Sequence, residues 1–214
     1  MSRRRVGIAG LAFCGFLIAA LVLPNPPEAD QADSTILSNY ADSGNRHREF
    51  LSAVLFGIAV IAFLVFLTGL RQLLDRVGAE PSPLPELAFV GGIAFALLWS
   101  VGWAVATAIP ATLEFTDEFK LPDPDTARLV RHLGAWWLPS FAAMIASLLV
   151  GATSLSARRT RLLPVWLTWI GFVVTIVLLF SLPLQFFGPF VVALWVLLTS
   201  VILVLGKTVV ERRA

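Results

Sequence analysis

Six long apolar segments constrain the fold of this chain more than any other feature of its sequence. They lie at residues 6–23, 50–70, 87–109, 133–155, 162–182 and 190–205. A helix needs about 20 mostly apolar residues to cross a bilayer, and each segment is close to that length. Only 14% of residues are charged, whereas soluble domains carry about a quarter. We therefore predict an all-α, polytopic transmembrane helical bundle of six spans, with residues 1–214 forming a single membrane domain.

The charged residues between these segments predict the orientation of the chain. With the N-terminus inside, the inner segments carry 11 of the 16 basic residues and four acids, and the outer segments carry five basic and ten acidic residues. An excess of Lys and Arg marks the cytoplasmic side, so we predict both termini inside and outer loops at 24–49, 110–132 and 183–189. We expect a multi-pass protein of the bacterial inner membrane. Its basic surface would meet anionic lipid headgroups rather than nucleic acid.

The first apolar segment contains Cys14, the sole cysteine of the chain, so an internal disulfide is excluded. The small-x-small pattern of a signal cleavage site is missing before Pro24. We interpret this segment as a retained anchor. A cleaved signal is the alternative, because only about 18 apolar residues are present.

The third segment carries small residues at every fourth position, and the fourth segment repeats this spacing. In the third segment they are Gly92, Ala96, Ser100, Ala104 and Ala108, and in the fourth Pro139, Ala143, Ser147 and Gly151. This spacing puts small side chains along one helix face, and in lipid such a face lets another helix approach closely. We predict that the third and fourth spans form an antiparallel pair at the packing centre. A strip left unpaired would favour a homo-oligomer or a protein partner within the membrane.

Turn and capping residues predict where helices begin and bend. Asp42, Ser43 and Asn45 are candidate N-caps of the second helix, and Asp123-Pro124 has the form of a helix start. Pro139 is expected to kink the fourth span, because proline lacks the backbone N–H that a helix uses.

The six predicted spans contain no Asp, Glu, Lys, Arg or His. Ionisable groups inside a membrane usually mark proton relays or substrate sites, so this pattern argues against proton-coupled transport. Serine chemistry would need a base close to Ser100, Ser140 or Ser147, and histidine is missing at that depth. We predict a protein that is not an enzyme, with no catalytic residues and no cofactor.

The outer loops contain the polar residues that could form a site. His47 and His132 could jointly ligate haem iron or a divalent metal such as Zn²⁺ or Cu²⁺, and the alternative is two solvated histidines. The acids Asp117, Glu118, Asp123 and Asp125 do not have the spacing of a calcium loop.

Four arginines of the outer loops could form a basic rim for a phosphate or a lipid headgroup. They are Arg46, Arg48, Arg128 and Arg131. The alternative is that each pairs with an acid of the same loops.

Several local patterns are shared with a known group of proteins. They are Tyr40-Ala41-Asp42-Ser43-Gly44-Asn45-Arg46, Gly91-Gly92, Leu163-Pro164-Val165-Trp166-Leu167 with Gly171, and Trp195 followed by Ser200. With these patterns the chain resembles a family of bacterial six-helix integral membrane proteins that is defined only as a domain of unknown function. The resemblance covers most of the chain beyond the first span. It implies six helices and carries no activity.

Two functional hypotheses follow. The first is a non-catalytic accessory or envelope-associated subunit, which an exposed small-residue or Trp face would favour. The second is a small transporter or lipid-binding carrier for an uncharged or amphipathic substrate. A cavity lined by Ser100, Thr107, Ser140 and Ser147 would favour the carrier.

Overall fold

A computed structural model describes residues 1–27, 30–77, 82–116, 120–182 and 187–206, and all regular elements in these ranges are helical. The helices are α1 (Arg3–Val22), α2 (Asp33–Ala41), α3 (Ser43–Val77), α4 (Leu84–Ala106), α5 (Ala108–Phe115), α6 (Pro124–His132), α7 (Leu138–Thr160), α8 (Val165–Leu179) and α9 (Gly188–Leu205). A π-helical turn, Leu133–Trp137, joins α6 to α7 in one continuous helix.

Five helices of the described chain are long and apolar enough to cross a membrane. They are Arg3–Val22, Ser43–Arg76, Leu84–Ala106, Pro124–Thr160 and Gly188–Leu205. The apolar α8 has 15 residues, so it is about 22 Å long and shorter than the ~30 Å hydrocarbon core. The all-α helical character predicted from the sequence is confirmed, and the five long apolar helices indicate a membrane protein.

The most extensive contact between helices joins α4 and α7, the third and fourth predicted spans. Two glycines permit the close approach. A Cβ on Gly91 would lie 2.7 Å from the Cβ of Leu148, and a Cβ on Gly134 would lie 2.3 Å from the backbone N of Ala106. Since real Cβ atoms do not approach so closely, these positions accept only glycine without a backbone shift. The third and fourth spans pack centrally, as expected from their small residues.

The predicted small-residue strip supports this packing along only part of its length. Gly92 and Ala96 are buried, but Gly92 faces Leu67 of α3 rather than α7. Ser100 is half-buried, and both Ala104 and Ala108 are exposed. On α7, Ala143 and Ser147 are buried, and half-buried Gly151 faces Thr175 of α8. The small residues of the two strips therefore do not all face the partner helix, because Gly92 packs on α3 and Gly151 on α8.

The first helix is packed between α3 and α9. Gly10 lies against Ser200 of α9, where an added Cβ would meet the Ser200 hydroxyl at 2.0 Å. Val6 is fully buried and lies against Gly69 of α3. Two small residues on α1 and α3 thus let three helices pack closely.

One end of the bundle, here called the capped end, carries the three short helices α2, α5 and α6. Ile36, Tyr40, Ile109 and Ala127 form a small apolar cluster that holds these helices together. Both predicted outer loops, 24–49 and 110–132, contain helices. Two of these helices begin where the sequence predicts: Asp42 accepts a hydrogen bond from the Asn45 N–H at the start of α3, and Asp123 caps α6. Residues 183–186 of the third predicted loop lie outside the described residues.

The opposite end of the bundle, here called the basic end, gathers the ends of α1, α3, α4 and α7. Among the described residues, the eight arginines at this end are Arg3, Arg4, Arg5, Arg71, Arg76, Arg158, Arg159 and Arg161. Arg3 donates a hydrogen bond to the backbone oxygen of Leu162, and Arg71 pairs with Glu86. The charge asymmetry predicted from the sequence is thus present as two chemically different ends.

Candidate ligand-binding cavity

A cavity of about 820 Å³ lies at the capped end, where the short helices meet the ends of α1, α3, α4 and α9. Pro24, Pro26 and Pro27 of the α1–α2 connection line one side. Volumes of this size are typical of sites for small organic molecules. The cavity has an apolar wall and a polar end.

Aromatic residues build the apolar wall. Trp99 and Trp103 line the cavity, one turn apart on α4. The ring of Phe56 stacks on Trp103 at a centroid distance of 4.2 Å and meets Trp99 edge-on at 5.2 Å. The buried indole N–H of Trp103 has no acceptor among the described residues. Because these rings support one another, the wall is rigid.

A buried ion pair forms the polar end. Glu49 on α3 is 3% exposed, and Arg131 on α6 donates to both of its carboxylate oxygens at 3.2 and 3.3 Å. A charge this deeply buried is costly unless it is paired. Arg131 therefore supplies the opposite charge that a carboxylate buried at this position requires.

The phenol of Tyr40 lies beside this pair and also lines the cavity. Burial raises the pKa of Tyr40, the charge and hydrogen bond of Arg131 oppose that rise, and Glu49 adds to it. The phenol is consequently neutral at physiological pH. It presents a hydroxyl group rather than a charge to the cavity.

Two further arginines of the predicted rim tie the short helices together. Arg46 pairs with Glu114 at 3.0 Å and donates to the backbone oxygen of Ala41 at 2.7 Å. Arg128 pairs with Asp33 at 2.7 Å and Asp125 at 2.9 Å. Three rim arginines are thus paired with acids of the outer loops, the alternative to a free anion site, and all these pairs except Arg128–Asp125 join one loop to the other. Arg48 is exposed.

Charges on the cavity lining balance. Asp30 and Glu49 are the acidic lining residues, and Arg128 and Arg131 are the basic ones. With as many acidic as basic groups, the lining offers no net charge to attract an ion. It does contain charged groups of both signs, with Arg131 and Arg128 held in ion pairs, together with His132 and Tyr40.

The π-helical turn Leu133–Trp137 supplies Gly134, Ala135 and Trp136 to the lining. It precedes Pro139, whose missing N–H removes one helical hydrogen bond. The N–H of Leu138 donates to the oxygen of Leu133, and the Ser140 hydroxyl donates to the oxygen of Trp136 at 2.7 Å. The irregularity expected at Pro139 is a π-helical turn, a feature that frequently occurs at functional sites.

The two histidines have different environments. His47 Nε2 lies 3.2 Å from Glu114, while His132 stacks on Trp136 and lines the cavity. Within the described ranges, no three or more His, Cys, Asp or Glu side chains are arranged to hold a metal ion. Asp117 and Glu118 lie outside those ranges, and the Asp123 carboxylate caps α6.

The hydroxyl residues expected to line a cavity do so only in part. Thr107 is in the lining, but its hydroxyl donates to the oxygen of Trp103. Ser100 and Ser140 likewise donate to backbone oxygens one turn earlier, and Ser147 is buried in the helix contact. The hydroxyls of Ser100, Thr107 and Ser140 therefore donate hydrogen bonds to backbone oxygens of their own helices rather than to the cavity.

Glu49 is the site residue that the sequence reasoning missed, because the predicted second span begins at residue 50. The helix begins at Ser43, so Glu49 belongs to its buried face. The buried positions of α3 alternate in steps of three and four: Glu49, Ser52, Phe56, Ala59, Phe63, Phe66, Leu70 and Leu73. Because residues 50–70 are apolar on every face of the helix, this row is recognised only in the structure, and the sequence gives no signal for Glu49.

Comparison of the chain with protein-family models, with curated proteins and with solved structures finds no match. The resemblance to a domain-of-unknown-function membrane family accordingly stays a prediction. The cavity is therefore the feature of the protein that indicates its function.

Proposed function

We propose that the protein is a non-catalytic membrane protein that binds an amphipathic molecule of no net charge in the cavity at the capped end. The observation that carries the proposal is a cavity of about 820 Å³ that joins an aromatic wall to a charge-balanced polar end. An apolar wall favours a hydrocarbon group, and paired charges of both signs favour a zwitterionic or hydroxylated group. The function is that of a lipid-binding carrier or small transporter.

The proposal includes the setting of the protein in a bacterial inner membrane. We place the basic end in the cytoplasm, together with both termini, and the capped end outside. The eight arginines at the basic end support this orientation by the positive-inside rule. In this arrangement α8 is the fifth of six spans, and it packs against α7 and α9.

Native mass spectrometry of the full chain, released gently from its own membrane, tests the binding function. We expect one small amphipathic molecule per chain. Ala135, an exposed residue of the cavity lining, offers a blocking variant, since an Ala135→Trp indole would fill the cavity. Occupancy should fall at least about tenfold in this variant, as expected when a pocket is filled.

Ala104→Trp is the matched control, because Ala104 is equally an exposed alanine but lies outside the cavity lining. It should retain the bound molecule. A wild-type protein that carries no small molecule, even after phospholipid is added, would refute the proposal. So would an Ala135→Trp variant with unchanged occupancy.

A second candidate function, the accessory subunit, is supported by the exposed face of α8. Trp166 and Trp169 are 52% and 54% exposed, and Val173, Ile176 and Phe180 continue the same face. A partner helix could pack there, since aromatic residues are favoured at interfaces. The same spectrum would reveal a partner chain in fixed stoichiometry. That result, with an empty cavity, would favour the subunit over the carrier.

A further inference from the structure

A shallow apolar groove runs down the lipid-facing side of the bundle between α1 and α9. Its volume is about 250 Å³, and its lining combines one face of each helix. On α1 this face includes Cys14, Ile18 and Leu21, and on α9 it includes Phe190, Ala193 and Leu197. Every side chain in the lining is apolar apart from the Cys14 thiol, which donates to the Ala193 backbone oxygen at 3.6 Å. The lining of the groove therefore offers a ligand apolar contacts rather than hydrogen bonds.

The groove is continuous with the cavity at the capped end. Leu21 and Phe190 line both spaces. One molecule could thus occupy the cavity with its polar part and the groove with its apolar part.

The dimensions of the groove match one leaflet of a bilayer. From Leu21 to Cys14 the groove follows seven residues of α1, or about 10 Å at the helical rise. Half of the hydrocarbon core measures about 15 Å. A groove that starts beside a polar cavity and runs towards the bilayer centre has the polarity and direction of a lipid in that leaflet.

We infer that the occupant of the cavity is a phospholipid from the leaflet at the capped end, with a headgroup of no net charge in the cavity and one hydrocarbon chain in the α1–α9 groove. This inference rests on the proposed binding function and adds the class of ligand. The arginines of the lining are already paired, Arg131 with Glu49 and Arg128 with Asp33 and Asp125, so the lining favours a headgroup of no net charge over an anionic one. The groove fixes the chain by packing, which is the attraction available within lipid.

The test titrates two lipids that share a headgroup but differ in chain length, dihexanoyl and dipalmitoyl phosphatidylethanolamine. Each is added to the full chain in detergent micelles and counted by native mass spectrometry. Wild type should bind the long-chain lipid about tenfold more tightly, because several methylene groups gain fixed packing in the groove. The short-chain lipid reports on the cavity alone.

Ala193→Phe fills the groove and should reduce the chain-length preference to less than about twofold, since the packing is then lost. Its affinity for the short-chain lipid should be unchanged. Ala193→Leu, which fills less of the groove, should give an intermediate preference and serves if the larger substitution impairs folding. The matched control is Ala19→Phe, because Ala19 is exposed on α1 outside the groove. It should retain the wild-type preference.

The outcomes separate the two proposals. If wild type binds neither lipid, both the binding function and the inferred ligand fail. If wild type binds both lipids equally, or if Ala193→Phe keeps the full preference, the cavity binds a ligand but the groove does not hold its chain. Stronger binding of dipalmitoyl phosphatidylglycerol than of the phosphatidylethanolamine would overturn the headgroup assignment alone.

Discussion

At the scale of single residues, the Glu49–Arg131 pair is the chemical centre of the cavity. Replacing Arg131 by methionine leaves the Glu49 carboxylate buried and without its partner. Removing one member of a buried pair typically costs about 3–5 kcal/mol, so we expect Arg131→Met to lower the free energy of unfolding by that amount. Chemical denaturation in mixed micelles would measure it.

The double variant Glu49→Gln/Arg131→Met should recover most of this loss, because an amide is cheaper to bury than an unpaired carboxylate. Arg48→Met is the control, since Arg48 is an exposed arginine next to Glu49 on α3. Substitutions of exposed residues usually change the free energy of unfolding by no more than about 0.5 kcal/mol. Equal stability of Arg131→Met and Arg48→Met would show that the pair does not stabilise the fold.

The phenol of Tyr40 gives a second prediction, because it is the sole tyrosine of the chain. Burial raises its pKa above the ordinary value of 10.0 in the folded protein. Folding stability therefore contains a contribution that is complete below pH 10 and is lost as the pH rises through the folded-state pKa. Phenolate absorbance should appear at higher pH in the folded than in the unfolded protein, and Tyr40→Phe should remove this part of the alkaline pH dependence. Absorbance that rises at or below pH 10 in the folded protein would contradict the burial argument.

At the scale of secondary-structure elements, Gly134 and Gly15 test the packing of the α6–α7 helix against α4. A Cβ on Gly134 would meet the backbone of α4, whereas one on Gly15 would meet nothing within 4 Å. Gly134→Ala should destabilise the protein by about 1–3 kcal/mol through overpacking. Gly15→Ala should stabilise it by about 0.5–1 kcal/mol, because alanine is the better helix former. Thermal unfolding of the two variants in one detergent would measure the contrast, and equal shifts would argue against close contact at Gly134.

The same elements show what the sequence could predict. Four helices end within a few residues of the predicted spans; α1, for example, covers Arg3–Val22 against the predicted 6–23. Such helices can be predicted because the length and the apolar composition of a segment are sufficient to identify them. The apolar span alone predicts a start at residue 50, whereas the candidate N-caps Asp42, Ser43 and Asn45 predict the observed start of α3 at Ser43. The pairing of Glu49 with Arg131 joins positions 82 residues apart, and a single sequence does not record such a contact.

At the scale of the whole molecule, the two ends of the bundle differ in charge and would suit different sides of a membrane. The basic end gathers eight arginines and suits the anionic cytoplasmic leaflet. The capped end folds its charged residues into ion pairs and encloses the cavity among them. In the proposed orientation the capped end lies outside, so a ligand could enter the cavity from the outer leaflet.

Matched cysteine variants test that orientation. Ser34 at the capped end and Ser2 at the basic end are both exposed, and the native Cys14 is buried, so wild type supplies the background. A membrane-impermeant thiol reagent applied to intact bacterial spheroplasts should label Ser34→Cys and leave Ser2→Cys unlabelled until the membrane is opened. The proposed orientation gives this order, because the positive-inside rule assigns the arginine-rich end to the cytoplasm. Labelling of Ser2→Cys alone would reverse the orientation and move the cavity to the cytoplasmic leaflet, where its ligand would have to be sought instead.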